Sequence, residues 1–74
     1  GTGAMPALWE ALPQLTVPVL WVTGSQDSQF EALAKCAHAV TPLSTQVSIL
    51  GAGHCAHLEQ PARFQVVLRR FLDA

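Results

Sequence analysis

The spacing of apolar residues divides this chain into alternating strands and helices. Residues 17–22, VPVLWV, are apolar at every position, which suits an extended segment covered on both faces, as in an interior parallel strand. Thr23 extends the run and Gly24 breaks it, so a strand is predicted over 17–23, with Pro18 tolerable near its start. A shorter strand is predicted over 46–50, QVSIL. Between the two, Phe30, Leu33, Ala34 and Ala37 form one stripe at helical spacing, and Ser28 with Glu31 has the spacing of a capping box. Pro42 forces the preceding residue out of helical geometry, so this helix is predicted over 28–40. The last helix, 61–73, opens on Pro61, a favoured first-turn residue. Phe64, Val67, Leu68, Phe71 and Leu72 are expected to line its buried face, and Arg69 and Arg70 suit the negative end of its dipole. Upstream, residues 1–15 read as a lead-in. Leu8, Leu12 and Leu15, with Trp9 beside them, predict a short helix over 6–15 that Pro13 keeps from extending.

The order strand, helix, strand, helix defines an α/β class. A helical crossover makes the two strands parallel and is right-handed in nearly all cases. Both strands then end at the same edge of the sheet, where open α/β sheets keep their sites. Two strands cannot cover both helices, so the sequence reads as one end of a larger sheet, a partial domain spanning 1–74.

Composition points the same way. Seventy-four residues lie near the lower limit for a self-sufficient core. Yet 50% are hydrophobic and only 12% charged, half the usual charged share of about 25%, so part of the surface is expected to be covered by other protein. A net charge of −1 offers no electrostatic case for nucleic acid or for an anionic membrane. No apolar run approaches the roughly 20 residues of a membrane span. The chain opens GTGAMP, without a signal-peptide pattern or an initiator Met. Secretion is therefore not expected, and a tag remnant or a cut within a longer protein would each explain the start. Cys36 and Cys55 make no disulfide framework and are expected to be free, buried, small hydrophobes.

The candidate chemistry sits in residues 51–61, GAGHCAHLEQP, where His54 follows the second strand in a loop of small residues. Asp27 follows the first strand in the turn-like GSQDS. Imidazole is the side chain best matched to proton transfer near neutral pH, and a carboxylate on its far nitrogen sets the tautomer. Read singly, Asp27 fits a turn or helix cap and His54 a loop histidine bonded to backbone. Read together, at matched strand ends, they fit two parts of a three-part relay. His57 is a rival to His54, with Glu59 near enough to orient it, though His54 comes first after the strand and His57 fits a loop brace. His54, Cys55 and His57 also raise a metal site, but zinc needs further ligands and no paired Cys or H-E-x-x-H spacing supplies them. Cys55 as a nucleophile adjoins the histidine that would have to activate it. Ser25, Ser28, Ser44 and Ser48 all lack the G-x-S-x-G elbow, so the relay has a base and an acid but no nucleophile.

The segments VPVLWVTGSQD and GAGHCAHLEQPARF resemble the C-terminal end of the α/β-hydrolase superfamily, over roughly residues 15–74. Family order is nucleophile, acid, histidine, which implies that the serine belongs upstream of Gly1. With the lead-in GTGAMPALWEAL, Asp27 and Phe30, the chain is similar to the 2-succinyl-6-hydroxy-2,4-cyclohexadiene-1-carboxylate synthases of menaquinone and phylloquinone synthesis. Those enzymes have a hydrolase fold but act as lyases. The resemblance implies that a serine, activated by histidine and carboxylate, takes a substrate proton and drives loss of pyruvate. It assigns catalytic roles to Asp27 and His54, places Phe30 near the substrate, and implies no cofactor or metal. It also implies a small-molecule substrate, the remainder of the hydrolase domain as partner, and a cytoplasmic location in bacteria or a plastid one in a plant or algal fusion protein. Gln29 stands where a Lys is expected and Cys55 where Asn is commoner. A generic ester or carbon–carbon bond hydrolase, and a non-catalytic truncated assembly segment, remain the alternatives.

Overall fold

Strand formation here depends on parallel pairing across a helical crossover. In a computed structural model, which describes residues 5–74, β1 (Val19–Gly24) pairs with β2 (Ser44–Ile49) in parallel, Val22 opposite Val47 and Gly24 opposite Ile49. α2 (Ser28–Val40) crosses between them and α4 (Pro61–Asp73) closes the chain. Both helices have the predicted limits. β1 starts later than predicted because Pro18 has no N–H for the ladder, and it includes Gly24. β2 starts earlier and ends at Ile49, leaving Leu50 outside the strand and exposed. The lead-in is α1 (Met5–Ala11) followed by a 3-10 turn, Leu12–Gln14, with Pro13 inside it. The predicted features on residues 1–4 lie outside the described residues.

The sheet alternation separates two surfaces. Val22, Val47 and Ile49 belong to the face under α4, where Ile49, Ala52 and Ala56 form the buried cluster against Val22, Phe64 and Val67. On the other face Thr23 and Ser48, paired across the ladder, approach Glu31 of α2. Glu31 is therefore not the capping-box partner of Ser28. Its carboxylate accepts from the Thr23 hydroxyl and ties the helix to the strand. Hydrogen bonding by Ser48, then by Thr23, holds the Glu31 carboxyl below the 4.5 of a free glutamate. A lowered folded-state value means stability that is present above 4.5 and lost as pH falls through the folded value. Urea midpoints of the chain should thus fall with acidification below that pH, and Glu31→Gln should flatten the fall. Superimposable acid profiles for the two proteins would show that this contact carries no linkage.

Several packing expectations need correction. No residue of α4 is buried: Phe64, Val67 and Phe71 are half-buried, while Leu68 and Leu72 are exposed. In α2 only Ala34 and Ala37 are buried, and Phe30 and Leu33 remain exposed. β1, apolar on both faces, is half-buried along most of its length. Cys36 is free but exposed, lying on the outer side of α2 from Ala34 and Ala37, and Cys55 is free and half-buried. The cause is common to all of these. Two strands cover only part of each helix, and four of the six buried hydrophobic residues are alanines, each methyl worth only about 0.8 kcal/mol.

Candidate active site

The loop after β1 is set by the loop after β2. Ser25 N–H donates to the Ile49 carbonyl at 3.0 Å and Gln26 N–H to the Ala52 carbonyl at 2.8 Å. In return Gly51 N–H donates to Ser25 Oγ at 2.9 Å. Gly51 has φ +79°, a left-handed conformation that glycine adopts without Cβ strain. Ala52 is fully buried, which pins the start of the histidine loop against the sheet. The Arg63 guanidinium donates to the Leu50 carbonyl at 2.8 Å and joins this loop to α4.

Asp27 performs two tasks at once. Oδ1 accepts from the Phe30 N–H at 3.2 Å, making Asp27, and not Ser28, the N-cap of α2. Oδ2 lies 3.0 Å from Nδ1 of His54, 27 residues along the chain. The Phe30 amide first, then the His54 imidazole, hold the Asp27 carboxyl below its usual value, so it is ionised at neutral pH. An ionised carboxylate can only accept, so the proton of the His54 bond sits on Nδ1. In the neutral imidazole that leaves the lone pair on Nε2. The Asp27 side chain is 16% exposed and that of His54 68%, so the carboxylate is sheltered while the imidazole is open to a reactant. Phe30 places its ring against the imidazole, with centroids 4.8 Å apart and planes tilted by 52°. A neutral imidazole held in this way can take a proton at Nε2 and return it.

The residues around His54 behave differently from expectation. Glu59 does not reach His57: its two oxygens accept from Gly53 N–H and Cys55 N–H, each at 3.1 Å. His57 packs against Phe64, centroids 5.9 Å apart, on a further short helix, α3 (Ala56–Glu59). Four residues are too few to show a helical period in the sequence. Among the described residues, no three of His, Cys, Asp and Glu converge to form a metal site. No helix among them is long and apolar enough to cross a membrane.

No protein-family model matches the chain. It is, however, similar to several curated sequences. The 2-succinyl-6-hydroxy-2,4-cyclohexadiene-1-carboxylate synthase of Salmonella arizonae is 44% identical over 59 residues, 80% of this chain and 21% of the relative. Protein PHYLLO, chloroplastic, of Arabidopsis thaliana is 33% identical over 79 residues, covering 96% of this chain and 5% of its own length. A pimeloyl-[acyl-carrier protein] methyl ester esterase of Xanthomonas oryzae is 35% identical over 66 residues, 88% of this chain and 26% of the esterase. Among solved structures, MenH from S. aureus superposes with a TM-score of 0.91 at 36% identity, over 99% of this chain and 27% of MenH. The chain thus spans about a quarter of the length of the synthases it matches.

Proposed function

We infer that this chain, which has the fold of the C-terminal β-α-β-α segment of an α/β-hydrolase, supplies the acid and the base of a Ser-His-Asp relay in a lyase. The reaction is elimination of pyruvate to give 2-succinyl-6-hydroxy-2,4-cyclohexadiene-1-carboxylate, in menaquinone or phylloquinone synthesis. The observation that carries this reading is the Asp27–His54 bond at the carboxyl edge of the sheet, in a chain that resembles those synthases in sequence and fold. In this reading His54 Nε2 takes the proton of a serine that lies upstream, and Asp27 stabilises the resulting imidazolium. Phe30, against the imidazole, borders the substrate.

Residues 1–74 then form part of a domain, with 1–15 as its lead-in, and the principal partner is the upstream remainder of that domain. The half-buried β1 supports this, as does the indole N–H of Trp21, which is buried with no hydrogen-bond partner among the described residues. Buried donors in finished domains are nearly always paired. A bacterial protein of this kind would work in the cytoplasm, and a plant or algal fusion in the plastid.

A second reading, ester hydrolysis, is favoured by the likeness to the Xanthomonas esterase. The two share the relay and differ in the upstream residues that shape the pocket. A hybrid tests the shared relay: these 74 residues replace the matching segment of S. aureus MenH. The hybrid is expected to release pyruvate, and the 74 residues alone to release none, for want of a nucleophile and oxyanion donors. A folded hybrid that yields no pyruvate would overturn the relay. Pyruvate release by the 74 residues alone would remove the premise of a missing nucleophile.

A further inference from the structure

Glu59 stands apart from the relay yet touches the backbone on both sides of it. Its Oε1 accepts from Gly53 N–H and its Oε2 from Cys55 N–H, both at 3.1 Å, so one carboxylate spans the residue between them, His54. We propose that Glu59 is a positioning residue for His54, fixing the loop so that Nδ1 meets Asp27. That role rests on the reading of His54 as the proton-transfer group, whereas the geometry stands without it.

The simplest alternative is a local helix cap. Cys55 is the N-cap of α3, and an acidic side chain in a first turn often reaches back to the N-cap amide. That accounts for the bond to Cys55. It leaves the bond to Gly53 unexplained, because Gly53 lies two residues upstream of the cap and outside the helix. Few side chains hold this loop in place. The residues before His54 are Gly51, Ala52 and Gly53, and only Ala52 is buried. The His54 side chain is itself mostly exposed, with Asp27 and Phe30 as its recorded partners. A loop so poor in packing would sample many backbone states, and each one that turns the imidazole away breaks the Asp27 bond. Two charge-assisted bonds to a single rigid carboxylate remove that freedom. Space at Gly53 agrees with the assignment: a Cβ there would lie 3.2 Å from both Glu59 oxygens, so a larger residue would press on the clamp and displace the carboxylate by a few tenths of an ångström.

Nuclear magnetic resonance of the MenH hybrid that carries these 74 residues tests this without an activity assay. Through-bond couplings from the Glu59 carboxylate carbon to the Gly53 and Cys55 amide nitrogens are expected. Failure to find either coupling overturns the proposal before any variant is made. Glu59→Gln keeps the shape but replaces one acceptor oxygen with a donor facing an N–H, so at least one bond must break. Exchange of the freed amide should then rise by about tenfold or more, the factor such a bond is worth. The His54 ring nitrogens should move from the Nδ1–H tautomer to a mixture. His38, bonded to Ser44 in a different part of the fold, should keep its ring shifts and so report that the sheet is intact. A change in amide exchange with His54 still held as the Nδ1–H tautomer would reduce Glu59 to a local cap and overturn the positioning role. Neither outcome depends on which reaction the relay serves.

Discussion

His54→Ala, introduced into the MenH hybrid, is expected to lower kcat for pyruvate release by about 10³–10⁴-fold with KM little changed. The imidazole is the proposed base, and its removal would leave the serine of that relay without one. Binding contacts elsewhere remain, so the loss falls on the chemical step. Asp27 separates two effects that share one side chain. Asp27→Asn can still cap α2, because an amide oxygen accepts from Phe30 N–H as a carboxylate does. The amide presents a donor or a neutral acceptor to Nδ1 in place of a charged acceptor, so the tautomer and the imidazolium lose their support. A rate loss approaching that of His54→Ala, with stability nearly unchanged, is therefore expected for Asp27→Asn. Asp27→Ala should add about 1 kcal/mol of instability from the lost cap. Equal stability of the Asn and Ala variants would show that the cap is idle; an unimpaired rate in both would remove Asp27 from the relay.

Gly24→Ala is expected to be the most damaging single methyl group in the chain. A Cβ at position 24 would lie 2.2 Å from the Gly53 carbonyl oxygen and 2.3 Å from that of Ala52. These are backbone atoms, held by the Gln26 and Glu59 bonds, so no side chain can swing aside. Relief requires the strand end and the histidine loop to separate. A cost of about 3 kcal/mol or more follows, a large share of the roughly 5–15 kcal/mol that holds a domain together. Urea unfolding followed by circular dichroism should show loss or collapse of the cooperative transition. In the hybrid, activity should fall even where folding survives, because Gly53 adjoins His54. A variant with the unaltered midpoint would mean that the two loops do not meet this closely.

The sequence was most legible where chemistry repeats over many residues. The helices at Ser28–Val40 and Pro61–Asp73 have their predicted limits, because apolar spacing and proline stops act locally. The strands shifted by a few residues at their ends, where Pro18 and ladder pairing decide the limits. The expectation that Asp27 and His54 share a sheet edge also needed only local information: a helix between two strands makes them parallel, and parallel strands end together. Glu31 and Glu59 depart from their predicted partners, Ser28 and His57, for the opposite reason. Glu31 bonds to Thr23 across the helix–strand contact, and Glu59 reaches past its own helical turn to Gly53.

The 74 residues by themselves therefore determine element order and parallel pairing, and bring Asp27 and His54 to one sheet edge, because periodicity and handedness are properties of the backbone and of near neighbours. Only the tertiary structure decided the 3.0 Å meeting of Asp27 with His54, the closeness of Gly24 to the Gly53 carbonyl, and the two-amide grip of Glu59. Contacts of this kind depend on positions in space to within a few tenths of an ångström. No spacing along a chain encodes that, since the same residues at the same intervals can be placed a hydrogen bond apart or several ångströms from it.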